Sequence, residues 1–418
     1  MAASPPADRV RLTFGAPGKT LFKWLTDARI RIHSSPDLAD PVPDWVVLPC
    51  SQDLSCLEQA RDLPWAAWLK AKGDRARILF DASGEARPHH PPTTQALHGL
   101  LQAIGAPAGA GVYITQDRTY RDAYLGHYGA GDGRAPLRVL TYDYYIRRLF
   151  AQFDGAGEDA FEARLAAYRA RPQSRGRRFV SLNLTPRPAK VLFLLRLLRD
   201  GLWDAGHISF GGFQILQYTR RGDALPLFEA QMRKLPGFRD LAEELLPWMP
   251  ALDALGEVLF GDIPRADGGR EILNLPIGDQ PLAQYADAWF TVATESDMLD
   301  RPARITEKAF KALLNFHPQI VLGNPGSLAA LKDLGFVTFD GVFDESYDEE
   351  PDPRARFEMV YRETARLCAL DEAELRRLDQ GISDRLEHNC RWGMTGLPAV
   401  FRDRIDIALI DAILGPAG

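Results

Sequence analysis

The sequence has little cysteine and no grouping of side chains suited to a metal. Its 418 residues contain four scattered cysteines, with no C-x-x-C pair and no histidine cluster beside them: Cys50, Cys56, Cys368 and Cys390. This pattern favours reduced thiols in a cytosolic protein over a disulfide framework or a zinc site. No D-x-D pattern and no His, Cys, Asp or Glu grouping has metal-ligand spacing, so we expect no metal.

Long apolar runs and an excess of basic charge are also missing. The most apolar run, VLFLLRLL at 191–198, is interrupted by Arg196 and is too short to span a bilayer. The first ten residues, MAASPPADRV, have neither the charged nor the apolar region of a signal peptide. We therefore expect a cytoplasmic protein with no transmembrane segment. The formal net charge of -6 gives no reason to expect nucleic acid as a partner.

What the sequence does contain is an alternation of short β-branched runs with helical patterns. Between the first runs, residues 93–105 predict a helix, with Thr93 or Thr94 as N-cap and Gly105 as its end. Strands separated by helix-length segments predict βαβ units and a parallel sheet. The runs predicted as strands in the first part of the chain are 44–49, 75–81, 111–117 and 137–143.

A stretch rich in Arg, Gly and Pro, RARPQSRGRR at 169–178, predicts a flexible linker. We place the domain boundary there, with a first domain at 1–170 and a second domain at 171–418. A second α/β series follows the stretch, and two helical patterns near 354–369 and 371–389 close the chain. Its predicted strands lie at 179–184, 206–212, 286–296, 319–325 and 337–341, with helices at 188–200, from 306 and at 327–335. The predicted fold class is α/β, with two Rossmann-like domains facing a cleft.

The stretch 289–328 carries the strongest indication of chemistry. A strand is predicted to end at Thr294 and Glu295, and a helix to begin at Thr306, a good N-cap residue. Ligands bind at strand ends in α/β folds, and a helix N-terminus there attracts phosphate. Lys308 could bind a diphosphate, and Glu307 could accept hydrogen bonds from ribose hydroxyls. Alternatively, Glu307 only favours the helix dipole and Lys308 is solvated.

This stretch resembles the donor-binding segment of glycosyltransferase family 10, the α-1,3-fucosyltransferases. The matching residues are Phe290, Glu295, Ser296, Thr306, Glu307, Lys308, Ala312, Leu313, Pro318, Gly323 and Pro325. The resemblance implies that Glu307 binds the nucleotide ribose and Lys308 the diphosphate. The family usually has Asn where Ser296 stands and an aromatic residue shortly before the T-E-K motif, where this chain has Ile305.

A second segment, 179–198, resembles the turn of that family whose basic residue neutralises the donor phosphates. Arg187 and Lys190 are the candidates for this role. The alternative is that both simply begin a helix, although basic residues in a first turn oppose the helix dipole. That conflict favours an anionic ligand.

In a third segment, 78–90, a strand is predicted to end in S-G-E, and a proline follows. This arrangement resembles the loop that carries the family's proposed base. Glu85 would then accept the proton of the acceptor hydroxyl, whose pKa is far above 7. The alternatives are a solvated loop glutamate at Glu85, or a base at Asp81, His89 or His90.

Taken together, the resemblance implies an inverting, metal-independent glycosyltransferase of the GT-B type. It implies a nucleotide-sugar co-substrate, GDP-fucose if the likeness extends to the donor, and a carbohydrate or other hydroxyl acceptor. No bound cofactor is expected. The alternative from another class is a non-catalytic scaffold domain that binds a nucleotide sugar. We further expect His317 and His388 to pack against or cap helices, and the acidic run 343–353 to be a solvated turn.

Overall fold

A computed structural model gives the fold of the chain. It describes residues 10–14, 30–33, 45–50, 54–84, 88–107, 109–128, 136–155, 157–213, 224–256, 258, 263–264, 270–271, 283–296, 298 and 305–414. The chain divides into two compact units, one of Met1–Ala151 with Ala399–Gly418 and one of Gln152–Pro398. This division differs from the predicted boundary after residue 170, since the helix before the Arg-rich stretch belongs to the second unit.

The first unit contains a parallel sheet of six described strands in the order β2-β1-β3-β4-β5-β6. These strands are β1 Val10–Phe14, β2 Ile30–His33, β3 Trp45–Pro49, β4 Arg77–Ala82, β5 Gly111–Thr115 and β6 Arg138–Thr141. The described helices between and directly after these strands are α1 Ser55–Ala60, α2 Trp65–Lys72, α3 Pro91–Ala103, α4 Tyr120–Tyr128 and α5 Tyr144–Phe150. Every residue of β4 and β5 is buried, as expected of central strands covered on both faces.

The described part of the second unit contains a parallel sheet of four strands in the order β12-β11-β7-β8, and a short antiparallel pair formed by β9 and β10. The strands are β7 Phe179–Asn183, β8 Gly206–Phe210, β9 Ile263–Pro264, β10 Arg270–Glu271, β11 Phe290–Thr294 and β12 Gln319–Leu322. Its described helices are α6 Gly157–Arg169, α7 Pro188–Arg199, α8 Ala224–Arg233, α9 Arg239–Leu245, α10 Met249–Leu255, α11 Ala283–Ala286, α12 Glu307–Leu313, α13 Ser327–Asp333, α14 Pro353–Ala369, α15 Glu372–Gly381 and α16 Ser383–Arg391. The short helix α17 Leu397–Val400 spans the boundary between the two units. The prediction of an α/β fold with parallel sheets is confirmed.

The last helix, α18 Asp406–Leu414, belongs to the first unit. Its Asp406 carboxylate accepts hydrogen bonds from Tyr142 Oη and Arg147 Nε, each at 2.8 Å. All three side chains are buried, so the pair of Arg147 and Asp406 is shielded from water. Leu409 and Ile410 belong to the apolar cluster that contains Tyr142 and residues of β3, β4 and β5.

Two arginines of the Arg-rich stretch are held by side chains of the second unit, which corrects the expectation of a flexible linker, although most residues of the stretch are exposed. Arg175 is 8% exposed and its guanidinium lies 4.1 Å above the centre of the Trp289 ring. Both Arg171 and Arg175 donate to the carboxylate of Asp379. The guanidinium groups are therefore held by an aromatic face and a carboxylate, which is a common way to bury arginine.

Three further expectations have clear outcomes. Residues 337–341 form no strand, and Asp340 makes only an isolated bridge with Phe343. Helix α3 begins at Pro91 with His90 as its N-cap, three residues before Thr93 and four before Thr94, the two predicted caps. His317 is fully buried between Thr291 Oγ1 and the Tyr285 carbonyl, at 3.0 Å and 2.5 Å, so its predicted packing role is confirmed.

Candidate functional site

The strand order places a reversal point in the second sheet between β7 and β11. From β7 the chain continues to β8 on one side, and later to β11 on the other. The crevice beyond the carboxyl ends of two such strands is the usual ligand site of an open parallel sheet. Here the two ends are joined, because Thr294 Oγ1 donates to Asn183 Oδ1 at 2.5 Å. The residues that follow β7 and β11 therefore form one cluster.

Glu295, directly after β11, holds the start of α12. Its carboxylate accepts hydrogen bonds from the Thr306 backbone N–H at 3.0 Å and from Thr306 Oγ1 at 2.5 Å. Thr306 is the N-cap residue, as predicted, but its hydroxyl makes no capping bond to α12 and donates to Glu295 instead. The Thr306 N–H group at this helix end is thus already bonded to a carboxylate. Glu295 is 4% exposed, and its carboxylate fixes the position of Thr306.

Lys308 contacts the same Thr306 hydroxyl group. Its ammonium group donates to Thr306 Oγ1 at 2.9 Å, Glu307 Oε1 at 3.1 Å and Ser296 Oγ at 3.4 Å. Burial raises the pKa of Glu307, but Lys308 and Lys311 lower it by more and bring it to about 2. Glu307 is therefore ionised and can accept hydrogen bonds throughout the neutral range.

Lys190, the third residue of α7, is the most deeply buried cation of the cluster. It is 3% exposed, and its charge interacts with those of Lys308, Glu295 and Glu307. Burial lowers its pKa well below the ordinary value and the nearby Lys308 lowers it further, whereas Glu295 and Glu307 raise the pKa by less than burial lowers it. Arg187, exposed at the start of the same helix, acts in the same direction. A buried lysine of this kind is stabilised when an anion binds beside it.

The cluster as a whole has more cations than carboxylates. The six predicted residues Arg187, Lys190, Glu295, Thr306, Glu307 and Lys308 all belong to it. Sequence reasoning missed a seventh member, Lys311, which is 6% exposed and interacts electrostatically with Glu307 and Lys308. Its place one turn after Glu307 on α12 is the signal that could have identified it.

Two neighbouring residues fix the geometry of the cluster, and only one of them, Gly323, is among the residues that carry the sequence resemblance. Gly323, after β12, lies so close to Glu295 that a Cβ atom there would stand 3.2 Å from Glu295 Cγ. The Gly323 carbonyl accepts from Arg356 Nε at 3.0 Å, and Arg356 also donates to the Met298 carbonyl. Arg356 is fully buried and therefore ties the loop after β11 to the loop after β12.

The acidic run 343–353 is partly buried and hydrogen-bonded to neighbouring backbone groups, which differs from the expected solvated turn. Tyr347 and Asp348 are buried, and Tyr347 Oη accepts from the Val321 N–H at 3.0 Å. The Asp348 carboxylate accepts the Leu328 and Ala329 N–H groups at 2.9 Å and 3.0 Å. The N-terminus of α13 is therefore occupied by a carboxylate of the chain itself.

In the first unit, Glu85 lies outside the described residues. The residues just before it form a tight turn at the carboxyl end of β4. Asp81 Oδ1 accepts from the Ser83 N–H at 3.0 Å and from Ser83 Oγ at 2.5 Å, and Gln116 donates to the Ser83 carbonyl. Asp81 is 3% exposed and committed to this turn, which makes it a poor base for a ligand.

His89 lies in a cluster of aromatic rings just after this turn. Its ring centre is 5.3 Å from that of Tyr120 and 5.6 Å from that of His127, and Nε2 is 3.2 Å from Thr94 Oγ1. Burial lowers the pKa of His89, and His127 lowers it further. The imidazole is therefore neutral at pH 7 and remains a second possible proton acceptor. His90 is exposed and its Nδ1 is 3.2 Å from Thr93 Oγ1.

The described residues contain no group of three or more His, Cys, Asp or Glu side chains placed to hold a metal ion. No helix in the described part of the chain is long and apolar enough to cross a membrane. In comparisons with known proteins, no family model, no curated protein and no solved structure matches this chain.

Proposed function

We propose that this chain is an inverting glycosyltransferase that moves a sugar from a nucleotide donor to an acceptor hydroxyl. The observation that carries the donor half is the group of cations at the reversal point of the second sheet, where Lys190 is buried and Lys308 is partly buried. The cations of this cluster outnumber its two carboxylates, Glu295 and Glu307, so a bound anion would balance the remaining positive charge. A diphosphate is such an anion, and it accepts strong charge-assisted hydrogen bonds from lysine.

Each residue of the cluster then has a definite task. Lys190 and Lys308 bind the diphosphate, and Arg187 at the exposed edge adds a third positive charge. Glu307, held ionised by its lysine neighbours, accepts hydrogen bonds from the ribose hydroxyls. Glu295 and Thr306 act as positioning residues, since their mutual hydrogen bonds place Lys308.

The reaction is a single in-line displacement at the anomeric carbon. The acceptor oxygen forms a bond to that carbon while the bond from the carbon to the diphosphate oxygen breaks. The proton of the acceptor hydroxyl passes to the Glu85 carboxylate, and the bonding electrons leave with the nucleoside diphosphate. Fixed lysine charge stabilises the developing negative charge, so the proposed mechanism requires no metal ion.

The proposal includes two Rossmann-like domains facing a cleft, as in the GT-B type. Support comes from each sheet separately: both begin with the strand order 2-1-3-4, counted within the sheet. The resemblance to glycosyltransferase family 10 supports GDP-fucose as donor and a carbohydrate or other hydroxyl compound as acceptor. The rival from another class is a nucleotide-sugar-binding scaffold that uses the same cluster without turnover.

A thermal-shift screen over nucleoside diphosphates and nucleotide sugars tests the donor site. A ligand at 100 times its Kd should stabilise the protein by roughly 2.7 kcal/mol. Lys308→Ala should raise the Kd about 10–150-fold, because one charge-assisted hydrogen bond contributes about 1.5–3 kcal/mol. Lys332→Ala is the matched control, since this lysine on α13 is half exposed. Stabilisation by no nucleotide, or equal affinity in both variants, would remove the donor site from the cluster.

A further inference from the structure

Two thiols lie in contact at the carboxyl end of β3. Cys50 directly follows this strand and Cys56 is the second residue of α1. Their sulfur atoms are 3.0 Å apart, and both residues are buried, at 7% and 4% exposure. The Cys50 backbone is fixed from the other side, because its N–H donates to the Asp81 carbonyl at 2.8 Å.

We propose that Cys50 and Cys56 form a reversible disulfide when the protein meets a peroxide. The step forms one sulfur–sulfur bond and breaks two S–H bonds. The two thiols lose two electrons and two protons, and hydrogen peroxide accepts them to give two molecules of water. In a disulfide the sulfur atoms are about 2.05 Å apart, so closure requires an approach of roughly 1 Å. Small rotations of two side chains can supply this movement.

The geometry favours a disulfide over a shared metal ion. Two thiolates on one zinc ion, each at about 2.3 Å in a tetrahedral site, lie roughly 3.8 Å apart. The observed separation of 3.0 Å is shorter. The described residues also place no third ligand in such a group.

The remaining two cysteines are internal controls, because neither has a second thiol in contact among the described residues. Burial raises the pKa of Cys368 and that of Cys390 to about 12. Cys50 and Cys56 are buried as well, so the contact between their two sulfur atoms is what distinguishes the pair. Cys390 Sγ is packed against the Leu314 carbonyl and Met394 Sδ, at 3.5 Å and 3.7 Å. We expect neither to be oxidised before the Cys50–Cys56 pair.

The disulfide would close a small loop at the edge of the first sheet where ligands bind in folds of this type. The Cys50 N–H group bonds to the carbonyl of Asp81 on the next strand, β4. The turn before Glu85 begins at this Asp81. The inference depends only on the two sulfur atoms and does not depend on the proposed transferase activity.

Mass spectrometry of the full native chain tests this inference. The protein is treated with a small excess of hydrogen peroxide, unfolded in N-ethylmaleimide, digested with trypsin and analysed. No Lys or Arg separates Cys50 from Cys56, so one tryptic peptide carries both. We expect this peptide without maleimide and lighter by two hydrogen atoms than its reduced form. Dithiothreitol given before alkylation should restore two adducts.

Two variants complete the test. Cys368→Ser should oxidise as the wild type does, whereas Cys50→Ser should leave Cys56 without its internal partner and abolish the mass loss. Two maleimide adducts on the wild-type peptide after oxidation would overturn the inference. A sulfonic acid on either cysteine in place of the disulfide would overturn it as well. The wild-type measurement decides the matter even if a variant fails to fold.

Discussion

Replacing Lys190 by methionine should separate ligand binding from stability. Methionine has nearly the length and flexibility of lysine, and it carries no charge. In the protein without ligand the Lys190 side chain is buried near Lys308, and burial and Lys308 lower the pKa of its ammonium group by more than Glu295 and Glu307 raise it. An apolar side chain of similar volume therefore removes an unfavourable group, and the protein without ligand should not be weakened.

The size of both effects follows from the site. Lys190→Met removes one charge-assisted hydrogen bond to the diphosphate, which contributes about 1.5–3 kcal/mol, so the Kd should rise about 10–150-fold. The melting temperature of the free protein should stay the same or rise by up to a few degrees, since 1 kcal/mol corresponds to about 2–4 °C at this domain size.

Isothermal calorimetry with a nucleoside diphosphate and thermal denaturation without ligand measure the two effects on the same samples. Lys332→Met is the control, because its ammonium on α13 is half exposed and 3.9 Å from Glu345. The reasoning is refuted if Lys190→Met lowers the melting temperature strongly while the diphosphate affinity stays at the wild-type value. That result would make Lys190 a structural residue.

Two further predictions concern the same cluster. The pKa of Glu307 is lowered to about 2, so its contribution of about 3 kcal/mol is present above pH 4.5 and is lost as the pH falls toward 2. Denaturation in urea between pH 3 and 6 should therefore show a smaller loss of stability for Glu307→Gln than for the wild type, and equal losses would contradict this. Gly323→Ala should displace Glu295, lower the melting temperature and weaken diphosphate binding several-fold; Gly99→Ala, in open space on α3, should instead stabilise by about 0.5–1 kcal/mol.

The sequence predicts most of the sheet strands because buried parallel strands are continuous apolar runs. The runs around β4, β7, β11 and β12 are of this kind, and each prediction overlaps the observed strand. The first two strands were missed. Val10–Phe14 and Ile30–His33 alternate apolar and polar residues over only five and four positions, which is too short for a period to stand out.

The candidate site was predictable where its residues follow a strand directly in the chain. Glu295 does so, and the neighbouring helix start carries Thr306 to Lys308. Arg356 could not be predicted, because it reaches Met298 and Gly323 across 58 and 33 residues of sequence. A helical pattern shows which face is buried, but it does not show which carbonyl a buried arginine will meet.

The most direct measurement of the central claim is turnover of a nucleotide sugar with an acceptor in the presence of EDTA. The proposal predicts release of nucleoside diphosphate together with a new glycosidic bond of inverted configuration. It also predicts that Glu85→Gln lowers the rate about 10²–10⁴-fold and leaves the donor Kd within a factor of a few. Binding of the donor without any transfer by the wild type would favour the scaffold. Transfer that persists in Glu85→Gln, or that stops in EDTA until manganese is added, would contradict the proposed chemistry.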